Sequence, residues 1–380
     1  MKKVILKYLT DNITDSELEQ LLLWLKKPKN LKEFQTLIKE NYNLNIVYDD
    51  INEEIALQKV KRDIKNSKKP VRRLSLNLMK YAAAILIFVS AGSFFLTTDN
   101  LVDESNPIII NNNIKIGTDK ATLTLENGTD IILEKGENYI SGNLKSNGED
   151  IIYKSTGKSN PNITYNYLTI PRGGQYHVKL TDETEIWLNS ESRLKYPTSF
   201  VDGEERIVEL VYGEAYFIVS SSTENKGSSF KVKTSIQEIE VLGTQFNVKA
   251  YNDEDYIYTT LIEGKVSIDN TSGLEILKPN QQSILNIASK EIQINTIDVS
   301  SEIAWVHGDF IFNRKPLKDI MKVLSRWYDV DVKFKDKALE DTKFFGELSK
   351  HQNIEDILTL IKSTNTINSF EINKNKILIK

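Results

Sequence analysis

The side chains of this chain that could carry chemistry are few and lie far apart. The sequence has three histidines, His177, His307 and His351, and no cysteine. None of the histidines stands at ligand spacing from another candidate ligand, so we interpret all three as structural or solvated. Without cysteine, disulfides, thiolate metal sites and a cysteine nucleophile are excluded. The sequence therefore predicts no metal and no cofactor.

Three polar stretches resemble ligand-binding or catalytic loops, but each lacks a required partner. Residues 157–159 read Gly-Lys-Ser, as in a phosphate-binding loop, yet Ile152 occupies the position of that loop's first glycine. Residues 252–255 have no further calcium ligands at ordered spacing and are interpreted as a solvated hairpin tip. The acidic run 182–185 faces no second carboxylate across a cleft. We therefore predict that the chain is not an enzyme.

Charge divides the chain near residue 80. Residues 1–80 carry 17 Lys and Arg against 11 Asp and Glu, whereas the remainder carries 32 against 42. Directly after this basic head come 18 residues without a charge, 81–98. As a helix they would span about 27 Å, close to the hydrocarbon core of a bilayer. They are predicted to form one transmembrane helix, and the alternative is a buried core helix.

The flanks of this stretch predict its orientation. Five basic residues lie before it and three acidic residues after it: Lys68, Lys69, Arg72, Arg73 and Lys80, then Asp99, Asp103 and Glu104. The positive-inside rule places the N-terminus in the cytoplasm and the C-terminus outside. A nucleic-acid-binding patch is the alternative interpretation of the basic run, but its position beside the apolar stretch favours a membrane-flanking cluster.

Residues 1–66 are predicted to form a small helical head. Residues 14–17, Thr-Asp-Ser-Glu, form a capping box, and Pro28 ends the helix that follows. Four apolar residues of this helix share one face: Leu18, Leu21, Leu22 and Leu25. A chain of about 65 residues builds only a marginal core, which a partner would complete. On spacing alone, however, a self-sufficient bundle in which these leucines are simply core is the favoured alternative.

From about residue 105 the hydrophobic period changes to two. Alternating segments separated by Gly, Asn and Asp indicate many short strands. Residues 123–133 align with residues 178–188, and both read as strand, polar turn, strand. Repeated hairpins of this kind predict an all-β, solenoid-like domain of antiparallel hairpin repeats.

The pattern changes again after Trp305. Helices are predicted from residue 316 to about 327 and from 354 to 362, each between short strands. The sequence of residues 317–321 matches that of residues 354–358. The C-terminal part is therefore predicted to be a small α+β domain with two similar halves. These patterns by themselves indicate a bitopic sensor or adhesin.

A family resemblance goes further than the patterns. It rests on five segments in order: residues 170–182 (IPRGGQYHVKLTD), 186–189 (IWLN), 213–217 (GEAYF), 241–248 (VLGTQFNV) and 263–266 (EGKV). Together they resemble the FecR family of transmembrane sigma-factor regulators. Residues from Trp305 to Tyr328 resemble the family's C-terminal extension, which is similar in layout to the signalling domains of TonB-dependent transducers. Tyr8, Glu17, Glu19 and Trp24 are similar to the family's cytoplasmic head.

The resemblance implies an anti-sigma factor with partners on both sides of the inner membrane. The head would bind an extracytoplasmic-function sigma factor in the cytoplasm, through Leu18, Leu21, Leu22, Trp24 and Leu25. The periplasmic part would receive the signalling domain of a TonB-dependent outer-membrane receptor, and nutrient-uptake genes would respond. The implied location is the inner membrane, single-pass, with a cytoplasmic N-terminus and a periplasmic C-terminus. No direct nucleic-acid binding is expected.

The family motifs also mark individual residues. These are Pro171, Arg172, Gly173, Gly174, Trp187, Gly213, Gly243, Thr244, Trp305 and Trp327. Some relatives are cut at the matching Gly-Thr by an N→O acyl shift, which makes Gly243-Thr244 a candidate for single-turnover self-cleavage. A glycine at a β-bulge before an ordinary strand residue is the favoured alternative.

The predicted fold class is multidomain: an all-α head, one transmembrane helix, an all-β periplasmic domain and an α+β C-terminal domain. The predicted boundaries are 1–66 for the head, 67–80 for a basic linker, 81–98 for the membrane helix, 99–167 for a periplasmic linker and first β repeat, 168–300 for the FecR-like β domain and 301–380 for the C-terminal domain. Two other functions stay open, a membrane-tethered DNA-binding regulator and a bitopic envelope enzyme acting on glycans.

Overall fold

A computed structural model describes residues 4, 20, 21, 24, 107–110, 112–154, 163–270 and 273–380. The chain divides into two compact units, Met1–Asp103 and Glu104–Lys380. In the first unit, Val4, Gln20, Leu21 and Trp24 are described; all four are helical, and the Leu21 side chain is buried. The second unit holds every element described below.

The structure corrects the predicted fold class. Residues 107–380, apart from their undescribed gaps, are mostly β, and their three α-helices are short. No all-α domain is present among the described residues. None of the helices among them has the length and apolar character needed to cross a membrane. The segments on which the predicted head and membrane helix depend lie almost entirely outside the described residues, at 1–66 and 81–98. The hydrophobic periodicity of these two segments predicted a helical head and a membrane helix, and the described fold contains neither.

Strands β2 to β19 form one hydrogen-bonded network that divides into two sheets, joined by the long strand β11 and by a short parallel pairing of β2 with β8. The first sheet has the order β3-β2-β7-β10-β11-β12-β13-β16-β17. Its strands are β2 (Thr118–Thr124), β3 (Asp130–Glu134), β7 (Tyr165–Ile170), β10 (Ser192–Pro197), β11 (Arg206–Ile218), β12 (Phe230–Lys233), β13 (Gln237–Val241), β16 (Val266–Asn270) and β17 (Gly273–Leu277).

The second sheet has the order β4-β5-β6-β8-β9-β11-β14-β15-β18-β19. Its other strands are β4 (Tyr139–Ser141), β5 (Leu144–Ser146), β6 (Asp150–Tyr153), β8 (Gly174–Lys179), β9 (Glu185–Leu188), β14 (Gln245–Ala250), β15 (Tyr256–Glu263), β18 (Gln281–Asn286) and β19 (Ile292–Thr296). The two aligned sequence segments, 123–133 and 178–188, form hairpins in different sheets.

Alternation of side chains explains how the two sheets pack. Along β8 and β10, buried and half-buried residues alternate, as expected for strands with one face in a core. One cluster of buried apolar residues draws on both sheets and includes Leu168 and Val208 from the first and Phe217 and Phe246 from the second. The last two rings are stacked with their centroids 4.9 Å apart. We call this two-sheet body, residues 118–296, the β domain.

Gly213 is the point where β11 passes from one sheet to the other. Tyr212 still pairs with β10, whereas Gly213 pairs with Ala250 of β14. The φ angle of Gly213 is 102°, a conformation that residues with a side chain rarely adopt. A Cβ at this position would also lie 2.2 Å from Ser192 Oγ. Both sheets therefore depend on the absence of a side chain here.

The C-terminal domain has its own core and its own sheet. Its elements are α1 (Ser300–Ile303), a 3-10 turn (Ala304–His307), β20 (Asp309–Pro316), α2 (Leu317–Tyr328), β21 (Asp331–Phe334), a 3-10 turn (Lys337–Asp341), β22 (Lys343–Ser349), α3 (Ile354–Ser363), β23 (Phe370–Asn373) and β24 (Lys376–Ile379). β20 pairs with β22, and the sheet order is β1-β23-β24-β21, with β1 at Ile108–Ile110. Helices α2 and α3 begin at the residues where the sequence predicts the two similar halves.

Replacing Gly213 by alanine should destabilise the β domain strongly, for two reasons. Alanine disfavours the positive φ at this position, and its methyl group would clash with the Ser192 side chain. We expect a loss of about 2–4 kcal/mol in the free energy of unfolding, measured by denaturant titration. Gly203→Ala is the matched control, since Gly203 also has a positive φ, 83°, but open space around it. Its cost should be only about 1 kcal/mol. Equal costs for the two variants would contradict the steric role of Gly213.

Candidate functional site

The joint between the β domain and the C-terminal domain contains an extended set of buried polar contacts. At its centre is Arg326, near the end of α2, whose side chain is 4% exposed. Its Nη1 donates to Glu254 Oε1 at 2.9 Å, its Nε lies 3.3 Å from Glu191 Oε2, and its Nη2 contacts Asp253. The guanidinium carbon lies 3.6 Å from the centroid of the Tyr251 ring. All four partners belong to the β domain, so this cation ties α2 to it.

The segment Pro171–Gly174 makes the reciprocal contact from the β domain. Arg172 Nη2 donates to the backbone oxygens of Ser325 and Val330 at 2.8 and 2.6 Å. The backbone N–H of Gly173 donates to the oxygen of Arg326 at 2.7 Å. A cation and an N–H therefore satisfy carbonyls at the C-terminal end of α2 and just beyond it, where the helix dipole favours positive charge. This gives the family motif at residues 171–174 a docking role.

Lys350 is a second cation in the joint and is 1% exposed. Its ammonium donates to Gln175 Oε1 at 2.6 Å and to the Trp305 oxygen at 3.1 Å. It also lies 3.8 Å from the centroid of the Trp327 ring, whose Nε1 donates back to the Lys350 oxygen. Burial lowers the pKa of Lys350 to about 7. Trp305 and Trp327, two of the predicted motif residues, thus meet around one lysine.

Glu214 is a buried acid on the second sheet. It accepts from Asn189 Nδ2 at 2.9 Å and from Asn247 Nδ2 at 3.0 Å. Burial raises its pKa, and the positive charge of Lys249 and the two amide hydrogen bonds oppose that rise. The carboxylate oxygens are therefore each satisfied by an amide, which fixes the side chain in place.

Trp187 lies away from the joint, in a stack on the second sheet. Its ring is 4.4 Å from the ring of His177 and 5.8 Å from that of Tyr216, measured between centroids. His177 Nδ1 is 2.8 Å from Asp150 Oδ1, and its Nε2 is 3.4 Å from Glu185 Oε2. This pairing gives His177 a structural environment. Among the described residues, no group of histidines and acids is arranged to hold a metal ion.

Gly243 and Thr244 precede β14 in a bend. Gly243 has a φ of 143°, and the register between β14 and β15 shifts directly after Gln245. Thr244 is 5% exposed, and its hydroxyl donates to the Lys265 oxygen at 3.1 Å. A bend followed by a register shift is the geometry of the bulge alternative. Self-cleavage at this bond stays a prediction.

A segment before the β domain crosses the C-terminal domain. We call residues 107–117 the strap. Ile108 to Ile110 pair in parallel with Glu371 to Asn373, Asn112 Nδ2 contacts Glu355 Oε1, and Ile114 and Ile116 pack on the C-terminal core. At its end, a Cβ on Gly117 would lie 2.6 Å from the Trp327 indole. The strap therefore belongs structurally to a domain that lies about 190 residues further along the chain.

The two ends of the strap differ in how firmly they are held. Ile114, Ile116 and Gly117 pack against the C-terminal core and Trp327, whereas the three isoleucines of β1 remain 45–50% exposed. Half burial of an isoleucine contributes roughly 1 kcal/mol, and ordering one residue costs about 1–2 kcal/mol. These contributions nearly cancel for β1, so its backbone hydrogen bonds carry most of its net stability.

The family motifs in the sequence identified part of this joint. Pro171, Arg172, Gly173, Gly174, Trp305 and Trp327 came from family motifs, and the structure brings them together. Residues 252–255 were predicted to be a solvated tip, but Asp253 and Glu254 bind Arg326. Nothing in the spacing pointed to Lys350 or the strap. Of the predicted sigma-factor contacts, Leu21 is buried and Trp24 half-buried, and Leu18, Leu22 and Leu25 lie outside the described residues.

The fold and the joint define a largely β protein whose two domains are held together by ion pairs and hydrogen bonds. Residues 166–267 match the family model for FecR protein, and residues 309–379 match the model for FecR, C-terminal. The chain belongs to the FecR family. The strap and most of the first β hairpins lie outside both matched ranges.

Two crystal structures of a candidate anti-sigma factor from Parabacteroides distasonis ATCC 8503, at 1.65 and 2.50 Å resolution, resemble this chain. Each shares 29% identity with it at a TM-score of 0.51. The similarity covers 56% and 57% of this chain and 98% of each crystallised chain. No protein with a curated description matches.

Stability should depend on pH through Lys350. Its pKa is about 7 in the folded protein, against an ordinary value of 10.5, so between these pH values the unfolded chain binds more protons. The free energy of unfolding should therefore rise with pH above about 7, by up to about 1.4 kcal/mol per unit from this group. Lys350→Met should remove that rise in denaturant titrations at pH 7, 8 and 9. Lys145→Met, an exposed position on β5, should not change it, and parallel curves for wild type and Lys350→Met would contradict the assignment.

Self-cleavage at Gly243-Thr244 is tested by an immunoblot of membranes from cells carrying the protein tagged at both ends. If the acyl shift occurs, two fragments should split near residue 243. Thr244→Ser keeps a hydroxyl nucleophile and should keep the fragments, whereas Thr244→Ala should lose them. A single full-length band in wild type would leave this pair with a structural role only.

Proposed function

We propose that this protein is an anti-sigma factor that relays a signal across the inner membrane. One observation carries the proposal: the chain has the paired FecR and FecR C-terminal regions, and it aligns with 98% of the crystallised chain of a candidate anti-sigma factor. The polar joint supports the proposal, because a partner that binds one of two firmly connected domains can affect the other domain through their shared contacts.

The proposed partners lie on two sides of the membrane. Residues 1–66 bind an extracytoplasmic-function sigma factor in the cytoplasm. The C-terminal domain receives the signalling domain of a TonB-dependent outer-membrane receptor in the periplasm. Binding there changes the hold of the N-terminal residues on the sigma factor, and transcription of nutrient-uptake genes follows. No nucleic acid is contacted directly.

The experiment is capture of sigma factors by the full-length, membrane-extracted protein. Each extracytoplasmic-function sigma factor of the host is expressed separately and mixed with the tagged protein. One of them should be retained, and Trp24→Ala should weaken its retention at least tenfold, because a large aromatic residue at an interface often carries much of the affinity.

Two controls make this result decisive. Lys145→Met, far along the chain in β5, should capture the sigma factor like the wild type. Circular dichroism should show that Trp24→Ala keeps the wild-type fold. Capture of no sigma factor would contradict the proposal, and retention of promoter DNA in the absence of a sigma factor would favour the DNA-binding alternative.

A further inference from the structure

The sheet of the C-terminal domain has two edges, and they differ in chemistry. One edge is β21, which carries the exposed charges Asp331 and Lys333 and contacts the 3-10 turn Lys337–Asp341. Charged and covered edges resist the addition of another strand. The other edge is formed by β1, three isoleucines that pair with β23. The strand at this edge comes from the strap and not from the domain itself.

We propose that β1 is an exchangeable strand, which fills the β23 edge until an extended, β-branched apolar strand of a partner protein takes its place. The proposal rests on the proposed function, in which the C-terminal domain receives a periplasmic partner. The resident strand shows what the edge accepts: a parallel strand of about three residues that keeps its outward side chains half exposed. A partner strand presenting valine or isoleucine has the same chemistry.

The strap is built so that β1 can leave without unfolding the domain. The apolar contacts of Ile114 and Ile116 and the close approach of Gly117 to Trp327 lie beyond β1 and do not need it. β1 itself is held by its pairing with β23, a bond from the Lys374 N–H to the Ile110 oxygen at 3.3 Å, and the nearby Asn112–Glu355 contact. Residues 114–117 thus form the fixed end and β1 the releasable end.

Displacement of β1 affects the part of the chain that precedes β1. β1 immediately follows the stretch that joins the second compact unit to residues 1–103. A partner that displaces β1 therefore releases residues 108–110 from the C-terminal domain. The signal reaches that unit without any change in the two sheets of the β domain.

The test uses the full-length protein in detergent and relies on its lack of cysteine. Ile110 and Asn373 are register partners, so the variant Ile110→Cys/Asn373→Cys can form only one disulfide, between β1 and β23. The probe is a fluorescent synthetic peptide with the sequence of residues 107–113. Its control is the same peptide with proline as the middle of the three isoleucines, which removes a backbone donor.

Wild type and the reduced double variant should bind the peptide, and the oxidised variant should bind it at least tenfold more weakly. Ile109→Asp, which weakens the resident strand, should bind it at least tenfold more tightly. The matched variant Ile140→Asp, at an exposed isoleucine of β4 in the β domain, should not change binding.

Three results would overturn the exchange: equal binding by the oxidised and reduced forms, no binding by the reduced form, or no gain for Ile109→Asp. Equal binding would point to β21 or another surface as the peptide site. Sigma-factor capture by wild type is measured in parallel. If sigma-factor capture fails while the peptide results hold, the proposed function is wrong and the strand exchange stands. If capture succeeds while the peptide results fail, only the strand exchange is rejected.

Discussion

The guanidinium of Arg326 is buried, with its side chain 4% exposed, and its charge must be matched there. A buried cation without partners costs several kcal/mol, so its acceptors have to be present and correctly placed. Glu191, Asp253 and Glu254 come from two different loops of the β domain, and Tyr251 supplies an aromatic face. The C-terminal domain can satisfy this charge in one orientation only. These contacts hold the two domains together.

Lys350 makes the same joint sensitive to its surroundings. Burial lowers the pKa of its ammonium to about 7, and its partners are two neutral oxygens and a tryptophan face. The nearby Arg326 cannot lose its proton in this way. One cation thus holds the joint under all ordinary conditions, and the other adds a contact whose strength depends on protonation.

Three distant parts of the sequence converge on α2. The motif at residues 171–174 binds the end of this helix, the loop at 251–254 binds Arg326, and the strap packs under Trp327. The β domain, stabilised by two sheets around one core, serves as the rigid frame for these contacts. The strap contacts the C-terminal domain directly, through β23 and the apolar core of that domain.

The sequence by itself determined the local elements of the second unit. Period-two alternation predicted its many strands, and local signals predicted helices from residues 316 and 354, where α2 and α3 begin at Leu317 and Ile354, because these signals come from neighbours in the chain. It also determined the family, through motifs such as Pro-Arg-Gly-Gly at residues 171–174. The same reasoning failed for the fold class, since periodicity in residues 1–98 predicted a helical head and a membrane helix that the described fold does not contain. Only the tertiary structure decided that Arg326 meets Glu254 and that Ile109 pairs with Ile372. These partners are separated by 72 residues and by more than 200, and no local pattern encodes a pairing that depends on how two whole domains pack.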